Sequence, residues 1–396
     1  MDMSKGSREQ EAKPADGKPV QEVPASLSAP AVDRSNAAAF ALWGAFTHPA
    51  NFVASPHSIR SALGLVYLGS LDGVARRSLR AALVYPERNE DLDIRLLDST
   101  VQTSDQARFE SANAIWIASE RTLRDTYKDA VSRTLPAEVR SIDFASDPEP
   151  ARVQINAWVS ERTRGKIPEA IQPSAISKTT QVVLVNAVYF FGRWSSPFTR
   201  KLTARKPFRT AQGATVNVDM MVGASCRAEF ADEYRVAYAD YAGTSIIFVV
   251  VVPKHWQEFR WDASAFGRVW AAFSRAQEAA LELPRFGVRS QSELVGVMHK
   301  LDLDLRDPRL LSGVLTSGEP GKIDLASHEA FIQVDETSTE AAAVTAIGRL
   351  KDEEHAPPPV FRVDRPFYFL LVERRTGLIL FMGQVTNPAA AGGAQP

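Results

Sequence analysis

The sequence contains a single cysteine, Cys226, in 396 residues. No internal disulfide can therefore staple the fold, and a chain of this length buries enough core to do without one. With no histidine-bearing motif beside it, the thiol reads as an idle, buried group. Also missing is any apolar run near the roughly 20 residues that a membrane helix needs. The strongest, "SIIFVVVV" (245–252) and "VVLVNAVYFF" (182–191), are strand-sized, so no membrane span is expected. Net charge is nearly absent: Lys and Arg total 46 against 47 acidic residues. That balance excludes a strong general attraction to nucleic acid or anionic membrane and confines any charge-driven recognition to local patches.

Local catalytic signatures are absent too. The six histidines, at 48, 57, 255, 299, 328 and 355, are scattered, and none stands in an HExxH or Cys/His cluster, so no metal is expected. No GxSxG elbow, GxGxxG turn or GxxxxGK[ST] loop occurs, which removes the local marks of acyl hydrolases, dinucleotide enzymes and nucleotide-binding proteins. A catalytic site assembled from distant residues needs no such mark and stays open at this point.

What is present reads as helices first and strands later. Residues 1–32, rich in Lys, Glu, Pro, Ser and Ala and without the apolar core of a signal peptide, predict a flexible tail. A single domain is expected over 33–388, followed by a short tail at 389–396. Phe40, Leu42, Trp43 and Phe46 follow "VDRSN" at helical spacing. In "NFVASPHSIRSALGLVYLGS", Ser55 can cap a helix and Pro56 can take its first position. More helix is predicted at 72–84, around Tyr127 to Leu135, and over 147–166, where Val153, Ile155, Trp158 and Val159 are expected to face inward and Gly165 to stop the helix. From about residue 180 the period shifts towards strand, in "QVVLVNAVYFFGRW", "SIIFVVVVPK", "LELPRF", "EAFIQVDE" and "FYFLLVERRTGLILFMGQV". Helices early and strands late predict an α+β fold.

Between two of those strands lies "DETSTEAAAVTAIGRLKDEEHAPPP" (335–359), which runs from small residues to charged ones and then to three prolines. As a strand, it would put Thr339, Ala341, Ala343 and Thr345 on one face, with nothing bulky or charged among them. The Ala-rich stretch also reads as a short helix capped by Ser338 or Thr339.

"NFVASPHSI", "INAWVSERTRGKI", "VVLVNAVYFFGRWSSPF", "VDMM", "ELPRF", "FIQVDETSTEAAAVTA" and "DRPFYFLLVERRTGLILFMGQVTNP" follow one another in the order and at about the spacing of the serpins, which the chain resembles over nearly all of 33–388. The resemblance implies helices packed around three β-sheets and an exposed, insertable reactive-centre loop at about 336–359. It implies an inhibitor rather than an enzyme, one that traps serine proteases, and by extension cysteine proteases, as acyl-enzymes while the cut loop enters the main sheet. A non-inhibitory serpin, acting as carrier, chaperone or storage protein, is the alternative. Glu336, Ser338, Thr339, Glu340, Ala341, Ala342 and Ala343 match the family's hinge, with Ser338 standing where glycine is usual and Val344 replacing a smaller residue. Ser55, Ser58 and His328 are expected beneath the point where the sheet opens, with Asn186 and Trp194 near its interior or top. Plain core packing for Trp194 and His328, and a solvated charge for Glu336, are the competing readings.

The loop is longer than is common before "DRPF". Counting from the hinge points to Lys351–Asp352 or Asp352–Glu353 as the scissile bond; Arg349 and Leu350 are chemically suitable but leave a shorter strand to insert. The expected partner is a target protease, bound by a monomer. No cofactor is expected, and "ARRSLRAALVYPERNEDLDIR" mixes its charges too evenly for a polysaccharide site. Family resemblance points to an extracellular or cell-surface setting; the missing signal peptide makes an intracellular one the alternative.

Overall fold

The structure is a computed structural model that describes residues 25–87, 104–316, 321–336 and 357–390. Helix α1 spans Ala25–Ala45, so helix begins before the expected start at Asp33. Ala31 and Val32 are buried among strand residues, and that packing recruits part of the Ala/Ser-rich stretch expected to be tail. Strand β1 (Asn51–Ala54) leads into α2 (Pro56–Gly69). Ser55 caps α2, its hydroxyl accepting the Ser58 N–H at 3.2 Å. This helix is buried on nearly every side.

Helix α3 (Gly73–Leu83), strand β2 (Ala107–Ala118), helix α4 (Asp125–Thr134), strand β3 (Glu138–Ile142) and helix α5 (Pro148–Arg162) follow. Asp147 caps α5, and Arg164 (φ 53°) and Gly165 (φ 74°) end it, the Gly165 N–H reaching the Ser160 carbonyl at 2.7 Å. Val153 departs from expectation: it is 53% exposed, because the buried stripe runs through Ala151, Ile155, Asn156, Trp158 and Val159. The remaining elements are β4 (Val182–Gly192), β5 (Ala204–Arg209), β6 (Thr215–Phe230), β7 (Tyr234–Asp240), β8 (Ile246–Pro253), α6 (Ala263–Ala272), β9 (Gln277–Pro284), β10 (Phe286–Glu293), α7 (Leu294–His299), β11 (Ile323–Val334), β12 (Val360–Arg362), β13 (Phe367–Glu373) and β14 (Leu378–Val385).

Among the described residues hydrogen bonds join the strands into two sheets, the larger of them in two arms. The larger has nine strands and branches at β6. The first half of β6 pairs with β5 and the second half with β7, while β9 runs along its other side past a register shift between Met221 and Ala224. Gly223, at φ 98°, makes that shift possible without backbone strain. The smaller sheet has the order β10-β11-β4-β2-β3. One core joins the two sheets through Val188, Phe190 and Ile332 against Phe248, Phe369 and Phe381. Another lies between the five-stranded sheet and α5, where Trp116 and Trp158 meet edge to face at 5.8 Å. Cys226 is buried and its thiol is pushed up to about 12 by burial, as an idle thiol should be.

Candidate functional site

The five-stranded sheet has a seam. β11 and β4 are neighbours and run parallel, paired from Ile323↔Val182 to Ile332↔Phe190, whereas β10–β11 and β2–β4 are antiparallel. A parallel ladder is slightly less stable per residue. β11 ends at Val334, two residues before Glu336, the first of the residues expected to form a hinge.

On the face towards α2, side chains tie the seam shut. His328 lies opposite Asn186 across it. The ring Nδ1–H donates to Asn186 Oδ1, and its Nε2 accepts the Ser55 backbone N–H at 3.3 Å. Asn186 spends both amide protons, on Ser58 Oγ at 2.6 Å and on Asn113 Oδ1 at 2.5 Å. Ser55 Oγ donates to the Leu380 carbonyl at 2.6 Å, and the Ser58 and Ser111 hydroxyls lie 2.8 Å apart. Burial pushes the His328 pKa down to about 3, so the imidazole stays neutral and the tautomer is set by its two partners. The structure brings Ser55, Ser58 and His328 together, and it places Asn186 with them and not with Trp194. Asn113 and Ser111, on a strand that periodicity does not reveal, complete the group.

Asn186→Ala should cost about 2–4 kcal/mol, because it strands buried donors and acceptors on His328, Ser58 and Asn113. The expected result is a lower denaturant midpoint. An unchanged midpoint would show that backbone pairing alone holds the seam.

The opposite face is held by a strap. The chain between α5 and β4 accepts hydrogen bonds at the Ala170 carbonyl from Ser327 Oγ (3.0 Å) and Gln291 Nε2 (2.7 Å), and Arg289 donates to the Lys166 carbonyl. Asn156 on α5 clamps the same segment at Ala170 and Ile171. Beneath it Glu329 is buried beside Arg289 at 3.3 Å; burial raises its carboxyl to about 7, and Oε2 has no partner among the described residues.

At the open end of the seam, Trp194 donates its indole N–H to the Asp335 carbonyl at 3.0 Å and stacks on Tyr241 at 4.4 Å. Trp194 therefore sits apart from the His328 group, at the head of the seam. Glu336 is 4% exposed, which overturns the solvated-charge reading. It takes Arg285 through two hydrogen bonds of 2.6 and 3.1 Å and accepts the Thr203 hydroxyl. Burial alone would raise its pKa, but the hydrogen bonds from Arg285 and Thr203 outweigh it and hold the carboxyl below its usual range. Ser338, Thr339, Glu340, Ala341, Ala342, Ala343, Arg349, Leu350, Lys351, Asp352 and Glu353 lie outside the described residues.

Periodicity gives no sign of Thr203, Arg285, Asn156 or Glu329. Each acts through a partner distant in sequence, and no local pattern marks such a pair. Among the described residues no group of three or more His, Cys, Asp or Glu could hold a metal, and no helix is long and apolar enough to cross a membrane.

A protein-family model described as Serpin (serine protease inhibitor) matches residues 33–388. A serine protease inhibitor of Cyanea capillata is 32% identical over 359 residues, covering 86% of this chain and 93% of the relative. Native protease nexin-1, solved with heparin, superposes with TM-score 0.77 at 27% identity, covering 92% of this chain and 100% of that one. Uncleaved ovalbumin superposes with TM-score 0.80 at 24% identity over 90% and 99% of the two chains, a likeness of fold alone. With a family match over residues 33–388 and a relative 32% identical over 86% of the chain, this protein belongs to the serpins, a superfamily of protease inhibitors and not of enzymes.

Proposed function

We propose that the chain is an inhibitory serpin that traps serine-type endopeptidases by inserting its cut loop between β11 and β4. The observation that carries this is the parallel pairing of those two strands. A strand that leaves β11 and folds back must run antiparallel to it, and therefore antiparallel to β4 as well. One inserted strand would replace a parallel junction with two antiparallel ones, using the side of β11 next to the hinge. Strand addition of this kind, with release of stored strain, is the movement for which serpin loops are the general example. The hinge sequence supports insertion over a carrier or storage role, since "TEAAAVTA" contains no proline or bulky inward residue.

In the chemical step the protease nucleophile attacks the Lys351 carbonyl. The peptide nitrogen of Asp352 leaves with a proton, and Lys351 stays esterified to the enzyme. Insertion at about 3.3 Å per residue over about 12–14 residues would carry the enzyme some 40–50 Å from where it bound.

The test is incubation with trypsin-like, subtilisin-like, elastase-like and Asp-specific proteases, followed by denaturing gels and the mass of the released C-terminal peptide. A stable complex and a peptide beginning at Asp352 are expected. Cleavage by every enzyme with no complex would overturn inhibition. A peptide beginning at Glu353 would move the bait to Asp352, and one beginning at Leu350 or Lys351 would defeat both assignments. Lys351→Ala should slow association with trypsin at least about tenfold, through loss of a buried charge contact worth about 2 kcal/mol. Asp352→Ala should speed it.

A further inference from the structure

From Arg193 to Val218 the chain carries six Lys or Arg residues, Arg193, Arg200, Lys201, Arg205, Lys206 and Arg209, and no acid, in a protein whose net charge is -1. The fold gathers most of them at one end. Arg200 and Lys201 lie on the exposed turn Arg200–Leu202, and Arg205 and Arg209 project from β5. The nearby acids are already engaged. Glu282 is buried and takes Lys206 at 3.0 Å and Arg362 at 2.5 Å, while Asp219 is shared by Arg205 (3.6 Å) and Arg285 (3.5 Å). Arg200, Lys201 and Arg209 have no ion pair among the described residues. Leu202, in their midst, is 52% exposed. Arg209 also borders a cleft of about 580 Å³ whose rim carries Lys254, His255 and Arg365 together with two acids, Asp364, which pairs with Arg365 at 2.9 Å, and the exposed Glu258.

We propose that this cationic face is a second contact for the target, one that selects proteases with an acidic surface beside their active-site cleft. Its position carries the inference. Thr203, the residue after the Arg200–Leu202 turn, bonds Glu336 at the start of the loop, and Ala280 N–H holds the Pro359 carbonyl at its end, at 2.9 Å. The start of the loop thus adjoins the Arg200–Leu202 turn and its end lies on β9, in the same sheet as β5, so a protease gripping residues between them stands beside the face. The inference rests on the inhibitor reading above for the presence of that protease. A polyanion is the less suitable occupant. The free cations lie on separate elements interrupted by an exposed leucine, and a chain laid across the feet of the loop would fill the space that the protease needs. Unpaired surface charges act mainly on encounter, raising association rates in a salt-dependent way.

The test compares the intact protein with the triple variant Arg200→Ala/Lys201→Ala/Arg209→Ala against anionic and cationic trypsin, which share primary specificity and differ in surface charge. The three side chains are exposed and unpaired among the described residues, so the thermal midpoint should not change. At low ionic strength the variant should associate with anionic trypsin about tenfold more slowly, with a flatter salt dependence, and with cationic trypsin no more slowly than the intact protein does. Equal rates with anionic trypsin would overturn the proposal. So would dextran sulfate accelerating both trypsins on the intact protein but not on the variant, which would make the face a polyanion site. Loop cleavage without any complex, at rates that keep the same ratio, would sink the trapping mechanism and leave the docking face standing, because docking precedes both fates.

Discussion

Cutting the loop anywhere from Arg349 to Glu354 should raise the thermal midpoint of the protein by about 10 °C or more. An ordinary nick lowers a midpoint, because it frees chain ends without adding contacts. Here insertion breaks the single ladder between β11 and β4 and builds two, one on each side of the new strand. The net gain is about one ladder along the 12 residues of β11. At about 1 kcal/mol net per hydrogen bond this is on the order of 10 kcal/mol before side-chain packing. At about 2.1 cal/mol/K of unfolding entropy per residue, a domain of roughly 360 residues has about 0.8 kcal/mol/K, so 10 kcal/mol is worth about 12 °C and side-chain packing adds to it. Calorimetry of intact and nicked protein at one scan rate reads it, since a metastable intact form would unfold under kinetic control. A nicked protein that melts at or below the intact one would rule insertion out.

Thr339→Arg should turn the inhibitor into a substrate. Thr339 opens the small inward series of Thr339, Ala341, Ala343 and Thr345, so its side chain is the first to pass beneath the sheet. Placing a guanidinium there carries an effective desolvation cost of several kcal/mol. Even about 3 kcal/mol at that step slows insertion about a hundredfold, since each 1.36 kcal/mol is a factor of ten in rate. Deacylation then wins. Stopped-time gels should show loop cleavage at an undiminished rate and almost no stable complex. Undiminished complex yield would mean that Thr339 does not begin the inserted series.

The elements that can be read from the chain are those whose signals are local. α2 announces itself through Ser55 and Pro56, and α5 through Asp147, Pro148 and Gly165. β2 is hidden because its second half, from Ala112 to Ala118, is buried on both faces and so loses the alternation that marks a strand. Val153 escapes the periodic reading because a helix pressed against a sheet buries a narrower stripe than its apolar content suggests.

By itself the sequence determined the family and the α+β class, because these rest on residue types in a fixed order along the chain. Only the tertiary structure decided that β11 and β4 lie side by side and parallel, that Glu336 is buried on Arg285, and that Thr203, next to the exposed Arg200–Leu202 turn, bonds Glu336. The physical reason is distance along the chain. Ser55 meets His328 across 273 residues and Ser58 meets Asn186 across 128, and such partners are chosen by how whole sheets and helices pack, not by any pattern that neighbouring residues can carry.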